Sequence, residues 1–92
     1  MNNNDILEAV KVNLGLRSTA IDGRLQTLID VAKSNIADEG ITLADSIPDN
    51  ELVIMYTSYL WSKRESGEGM PRMLRLALNN RLLKEKGAVD DD

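Results

Sequence analysis

The sequence contains no cysteine, no histidine and no phenylalanine, and only three of its 92 residues are aromatic. Without cysteine there are no disulfides, no thiolate metal ligands and no thiol nucleophiles. Without histidine there is neither the usual base of a catalytic triad nor an imidazole ligand. The carboxylates, lysines, tyrosines and serines that remain form no recognisable catalytic set. We therefore expect no enzyme, no cofactor and no metal site.

Basic residues are in the minority, with a net charge of -4 and a pI of about 4.7. This balance argues weakly against a general nucleic-acid binder, which normally carries a basic footprint. The longest uncharged and mainly apolar run, residues 52–61, has ten residues, about half of what a membrane span requires. The polar residues 1–5 lack the pattern of a signal peptide. We expect a chain that is soluble and cytoplasmic at synthesis.

Apolar residues recur at helical spacing in four segments. The first predicted helix begins at Asp5, which has capping-box spacing with Glu8, and ends at Gly15. The second predicted helix follows a connector, residues 16–20, whose hydroxyl side chains can cap it, and ends at Gly40. Its stripe has the clearest period in the chain and consists of Ile21, Leu25, Leu28, Ile29, Ala32 and Ile36.

The third predicted helix begins with Ser46 as its cap and ends near Glu65, and a packed loop precedes it. The fourth begins at Pro71 and ends at Gly87. The sequence thus predicts one all-α domain, a small four-helix bundle with short loops. Its ordered core covers about residues 5–86, and residues 88–92 form a flexible acidic tail.

The third helix is unusual because residues 52–61 include eight apolar residues and no charge. Apolarity on all sides means that such a helix is covered on all sides. One interpretation makes it the central helix of the bundle. The other leaves one face, with Ile54 and Trp61, to be covered by a neighbouring subunit.

The fourth helix has two faces when projected at about 100° per residue. The predicted core face contains Met70, Met73, Leu74, Ala77, Leu78 and Leu82. A basic stripe lies opposite, with Leu76 and Leu83 beside it, and consists of Arg72, Arg75, Asn79 and Lys86. A solvated basic face is the plain interpretation. The adjacent leucines favour a docking surface, because arginine beside aliphatic side chains is typical of interfaces.

Charge is segregated along the chain. Residues 63–86 hold seven basic and three acidic residues, a net of +4, whereas the rest holds four basic and twelve acidic residues, a net of -8. Such a chain can attract other copies head to tail, or a differently charged partner. The Ser66–Gly69 loop lacks the spacing of a phosphate-binding loop, and the acidic pairs at helix ends and in the tail have no calcium-loop pattern around them.

Two stretches resemble the small head–tail connector (adaptor) proteins of tailed bacteriophages. One is the fourth-helix run Met70–Leu83 with the preceding Tyr59–Arg64, and the other is Asp22–Lys33 in the second helix. The order of elements is also similar: a short helix, an amphipathic helix, a variable loop, an apolar helix ending in Lys and Arg, and a helix begun by proline. The resemblance covers about residues 5–86 and contains no catalytic signature.

The resemblance implies a structural virion protein at the head–tail interface, assembled in the host bacterial cytoplasm. Proteins of this kind form a ring, typically of twelve subunits, beneath the portal protein. The ring extends the DNA channel, through which DNA passes without sequence-specific binding, and is the docking platform for a stopper or tail-completion protein. Ile54, Trp61, Leu76 and Leu83 join the basic stripe as candidate contacts, chosen by helical geometry.

Two other functions are compatible with the residues. The third and fourth helices could form a helix-turn-helix that turns Arg72, Arg75 and Asn79 toward DNA. Against it stand the long turn 66–70, the apolar third helix and the acidic pI. The other alternative is a generic partner-binding bundle, such as a dimeric regulator.

Overall fold

The computed structural model describes residues 2–66 and 69–90. These residues form four helices, α1 (Asn3–Leu14), α2 (Asp22–Asp38), α3 (Ile47–Ser66) and α4 (Arg72–Asp90). The described residues contain no strand. The chain is therefore a small all-α four-helix bundle with short loops, as the sequence predicts.

Local capping chemistry sets the ends of the first two helices. α1 begins earlier than predicted, because Asn2 is its cap and accepts a hydrogen bond from the Asp5 N–H at 2.8 Å. The prediction that Asp5 is the cap is wrong. Gly15 ends α1 with a φ of 70°, as predicted. α2 has no side-chain cap, since Ile21 occupies the cap position and Ser18 bonds within its own loop.

The ends of α3 and α4 agree only in part with the prediction. Ser46 caps α3, and its Oγ accepts from the Asp49 N–H at 3.3 Å. Pro71 directly precedes α4. Gly87 does not end this helix, because its φ is not positive and α4 continues past it. The predicted tail 88–92 therefore lies partly within α4 and partly outside the described residues.

α3 is the central helix, because α1, α2 and α4 all pack against it. Its middle is buried at Leu52, Val53 and Thr57, whereas its first turn is exposed at Ile47, and Leu60 and Trp61 further along are only partly buried. The molecule measures 48 × 28 × 18 Å. The bundle thus covers the middle of α3 and leaves residues 58–61 partly open.

The core is mainly aliphatic, with Tyr56 as its one buried aromatic residue among those described, and it includes the face of α2 that the apolar stripe predicts. Leu25, Ile29, Ala32 and Ile36 are all fully buried there. α1 contributes Ile6, Leu7 and Val10, and α4 contributes Leu74 and Leu78. Within the described part of the chain, no helix has both the length and the apolarity that crossing a membrane demands.

Candidate functional site

α4 is fixed to the bundle by a polar cluster that sequence patterns did not reveal. Arg81 Nε lies 2.7 Å from Asp49 Oδ1 at the start of α3, and Arg81 Nη1 lies 3.1 Å from Glu85 Oε1. The third guanidinium nitrogen, Nη2, donates to the Thr42 carbonyl at 2.8 Å. Asp49 and Glu85 also accept backbone N–H bonds from Ala44 and Thr42, at 2.8 and 2.9 Å. One arginine thus joins α4 to the α2–α3 loop and to α3.

The same cluster changes the pKa values of its members. The Arg81 guanidinium holds the pKa of Asp49 below its ordinary value, and the Ala44 N–H adds to this against the opposing effect of burial. The pKa of Glu85 is lowered first by the Thr42 N–H and then by Arg81. The hydrogen bond to Asp49 raises the pKa of Arg81. All three groups are therefore charged at neutral pH.

One residue of the predicted basic stripe makes an ion pair within the chain. Arg75 Nη1 lies 3.0 Å from Glu39 Oε1, so Arg75 joins α4 to the end of α2. All four residues of the stripe, including Arg75, are exposed. The stripe is therefore not a uniform docking surface, because one of its two arginines already has a partner within the chain.

Large apolar side chains are exposed on the outer side of α4. Met73 is 74% exposed, Leu76 48% and Leu83 67%. Together with the exposed Asn80 they follow spacings of three, four and three residues, the spacing of a coiled-coil seam. We call these four residues the α4 outer face. Its flanks are basic and exposed, with Arg72 and Lys86 on one side and Lys84 on the other.

Of the candidate contacts predicted from the sequence, Leu76 and Leu83 lie on the α4 outer face. Ile54 is only 7% exposed, so the idea that it lies on a bare face is wrong, whereas its place among the partner contacts stays a prediction. Trp61 is partly buried against the core. Met73 was expected in the core and is exposed instead, because the core side of α4 is set by Leu74 and Leu78. The three-four-three spacing was the available signal for Met73 and Asn80.

A second apolar surface lies between α1 and α3. It is a shallow groove of about 360 Å³ lined by Glu8, Ala9, Val12, Asn13, Glu51 and Ile54. Val12 is 81% exposed at this groove. Both ionisable residues in the lining are glutamates, so the groove is acidic. We call it the acidic groove.

The described residues include no group of three or more Asp or Glu side chains placed to hold a metal ion. Residues 67–68 of the predicted loop lie outside the described residues. The structure thus has two exposed apolar surfaces, one flanked by basic and one by acidic side chains. Comparison with models of known protein families, with curated proteins and with solved structures gives no match.

Proposed function

We propose that this chain is a structural virion protein of the head–tail connector (adaptor) kind. In this function it forms a ring beneath the portal protein, extends the DNA channel, and provides the docking platform for a stopper or tail-completion protein. The observation that carries the proposal is the α4 outer face, on which Met73, Leu76 and Leu83 are exposed beside basic side chains.

Exposed apolar side chains of this size favour association. Full burial of one large aliphatic or methionine side chain contributes about 1.5–3 kcal/mol. Single exposed apolar residues are ordinary, but a row with basic flanks is typical of protein–protein interfaces. Met73 and Leu83 contribute little to the fold of the single chain, because most of each side chain is outside the core. In an assembly, both side chains could be buried against a neighbouring protein.

The order of the helices also supports this proposal. A short α1 and an amphipathic α2 are followed by an irregular loop, a mainly apolar α3 and an α4 preceded by Pro71. The connector resemblance implies the same order. The partly buried second half of α3, which contains Tyr59, Leu60 and Trp61, leaves apolar surface for a neighbour to cover.

The DNA-binding alternative has less support. In a helix-turn-helix, Arg75 would be needed at the groove, yet its guanidinium already pairs with Glu39 at 3.0 Å. The exposed Leu76 beside it suits a protein partner better than a polar groove. DNA passing through a connector channel needs no sequence-specific contact, and a chain with a net charge of -4 is compatible with that.

The decisive experiment is co-sedimentation of the whole chain with purified portal protein from the same genome. The wild-type chain should pellet with portal rings, and a gel shift over a range of salt concentrations should detect no salt-dependent DNA binding. A matched pair of variants tests the surface. Leu76→Glu on the α4 outer face should reduce portal-bound protein, because it weakens the assembly that binds the portal, whereas Val31→Glu, at an exposed position of α2, should not. Salt-dependent DNA binding without portal binding would favour the regulator instead.

A further inference from the structure

The chain carries two exposed apolar surfaces whose flanking charges are opposite in sign. The α4 outer face has Arg72, Lys84 and Lys86 along its edges. The acidic groove has Glu8 and Glu51 in its lining. Opposite charges around two apolar surfaces favour contact between them and suppress contact of either surface with itself.

The shapes of the two surfaces are also compatible. The α4 outer face is convex, since it is the exposed side of one helix. Leu76 and Leu83 are seven residues apart on it, which is about two helical turns or 10 Å. The acidic groove is a shallow depression between two helices, and its lining includes the exposed Val12 and the buried Ile54. A helix lying in a groove between two helices buries apolar anchors at this spacing.

Within one chain the two surfaces cannot meet, because the polar cluster of Arg81 and Asp49 holds α4 against α3. Both surfaces are exposed at the same time. We propose that the α4 outer face of one copy docks in the acidic groove of a second copy, with Leu83 as the main anchor. This inference rests on the proposed function and names the contact through which subunits of the ring would meet. Two different surfaces in one contact give a head-to-tail assembly.

Charge reversal tests this contact with whole, folded chains. One variant is Arg72→Glu/Lys86→Glu, which makes the edge of the α4 outer face acidic. The other is Glu8→Lys/Glu51→Lys, which makes the groove basic. All four positions are exposed. Matched controls with the same charge changes elsewhere are Arg17→Glu/Arg24→Glu and Asp30→Lys/Asp38→Lys, which are also exposed.

Self-association is measured by sedimentation velocity over a concentration series, with circular dichroism to establish that each variant is folded. Wild type and both controls should associate, and added salt should weaken this. Each test variant alone should have a dissociation constant raised by about tenfold or more, because it places like charges opposite each other. An equimolar mixture of the two test variants should associate again, since each then meets an opposite charge.

Three results would overturn this contact. One is wild-type affinity in both test variants, and another is failure of the mixture to associate. The third is a wild-type chain that stays monomeric over the whole series. If that monomer still pellets with portal rings, the connector function stands and the α4 outer face meets a different protein. If it neither associates nor binds the portal, both the contact and the proposed function fail.

Discussion

Arg81 and Asp49 are 32 positions apart in the chain, yet Arg81 Nε lies 2.7 Å from Asp49 Oδ1. Asp49 is almost fully buried. The pair fixes the direction of α4 against the start of α3 and thereby decides which side of α4 is exposed. The position of the α4 outer face therefore depends on this ion pair.

Removing one partner of this pair should lower the unfolding free energy of the bundle. Arg81→Met leaves the buried Asp49 carboxylate without its guanidinium, and loss of a partner in a buried pair costs on the order of 3 kcal/mol. Chemical denaturation of the variant measures the change in unfolding free energy. Arg24→Met, at an exposed position of α2, is the control. A loss in Arg81→Met no larger than in that control would contradict the structural role of the pair.

Acid should weaken the same cluster. The folded-state pKa values of Asp49 and Glu85 are lowered from their ordinary values. Their contribution to stability is therefore complete above the ordinary carboxyl pKa of about 4 and is lost as the pH falls below it. Thermal unfolding measured between neutral pH and pH 3 should show this loss. In Asp49→Asn the unfolding temperature should fall less steeply as the pH is lowered. If it falls as steeply as in the wild type, other carboxylates cause the acid sensitivity.

Replacement of two glycines by alanine should change the stability of the chain in opposite directions. Gly40 has a φ of 100°, and an added Cβ would lie 3.4 Å from Leu82 Cδ1, so Gly40→Ala should destabilise the chain. Gly87 is helical and a Cβ there meets nothing within 4 Å. Gly87→Ala should therefore stabilise by roughly 0.5–1 kcal/mol. Thermal melts of both variants make the comparison. Destabilisation by Gly87→Ala would mean that this glycine ends the helix after all.

The α4 outer face should be dispensable for folding. Leu83 is mostly exposed, so Leu83→Gln should change the unfolding free energy by less than about 0.5 kcal/mol. Leu78 is fully buried on the opposite side of α4, and Leu78→Ala should cost about 2–5 kcal/mol. Denaturant titration of both variants separates the two faces. Equal losses would mean that α4 packs in another orientation.

The sequence predicted the fold where one local pattern determines the structure. The stripe of α2 identified its buried face, and Gly15 identified the end of α1, because spacing and backbone freedom are properties of the segment itself. The Asn2 cap was missed because three consecutive asparagines and Asp5 are all acceptable caps. Tertiary packing decides between such equivalent residues.

The candidate site could be predicted only in part for the same reason. Leu76 and Leu83 were recognised from the helical projection of the fourth helix. Met73 was placed in the core and Ile54 on a bare face, and both placements are wrong, because α4 is apolar over a wide arc and Ile54 is buried within the bundle. The pairing of Arg81 with Asp49 depends on a long-range approach that no local spacing encodes.

The proposed function as a head–tail connector subunit is tested most directly by locating the chain in intact phage particles made from the genome that encodes it. Antibody against the chain, seen by electron microscopy, should label one vertex of each particle, between head and tail. Particles that carry no label there, while the folded chain is present only in the soluble fraction of the host, would show that the chain is not a connector subunit.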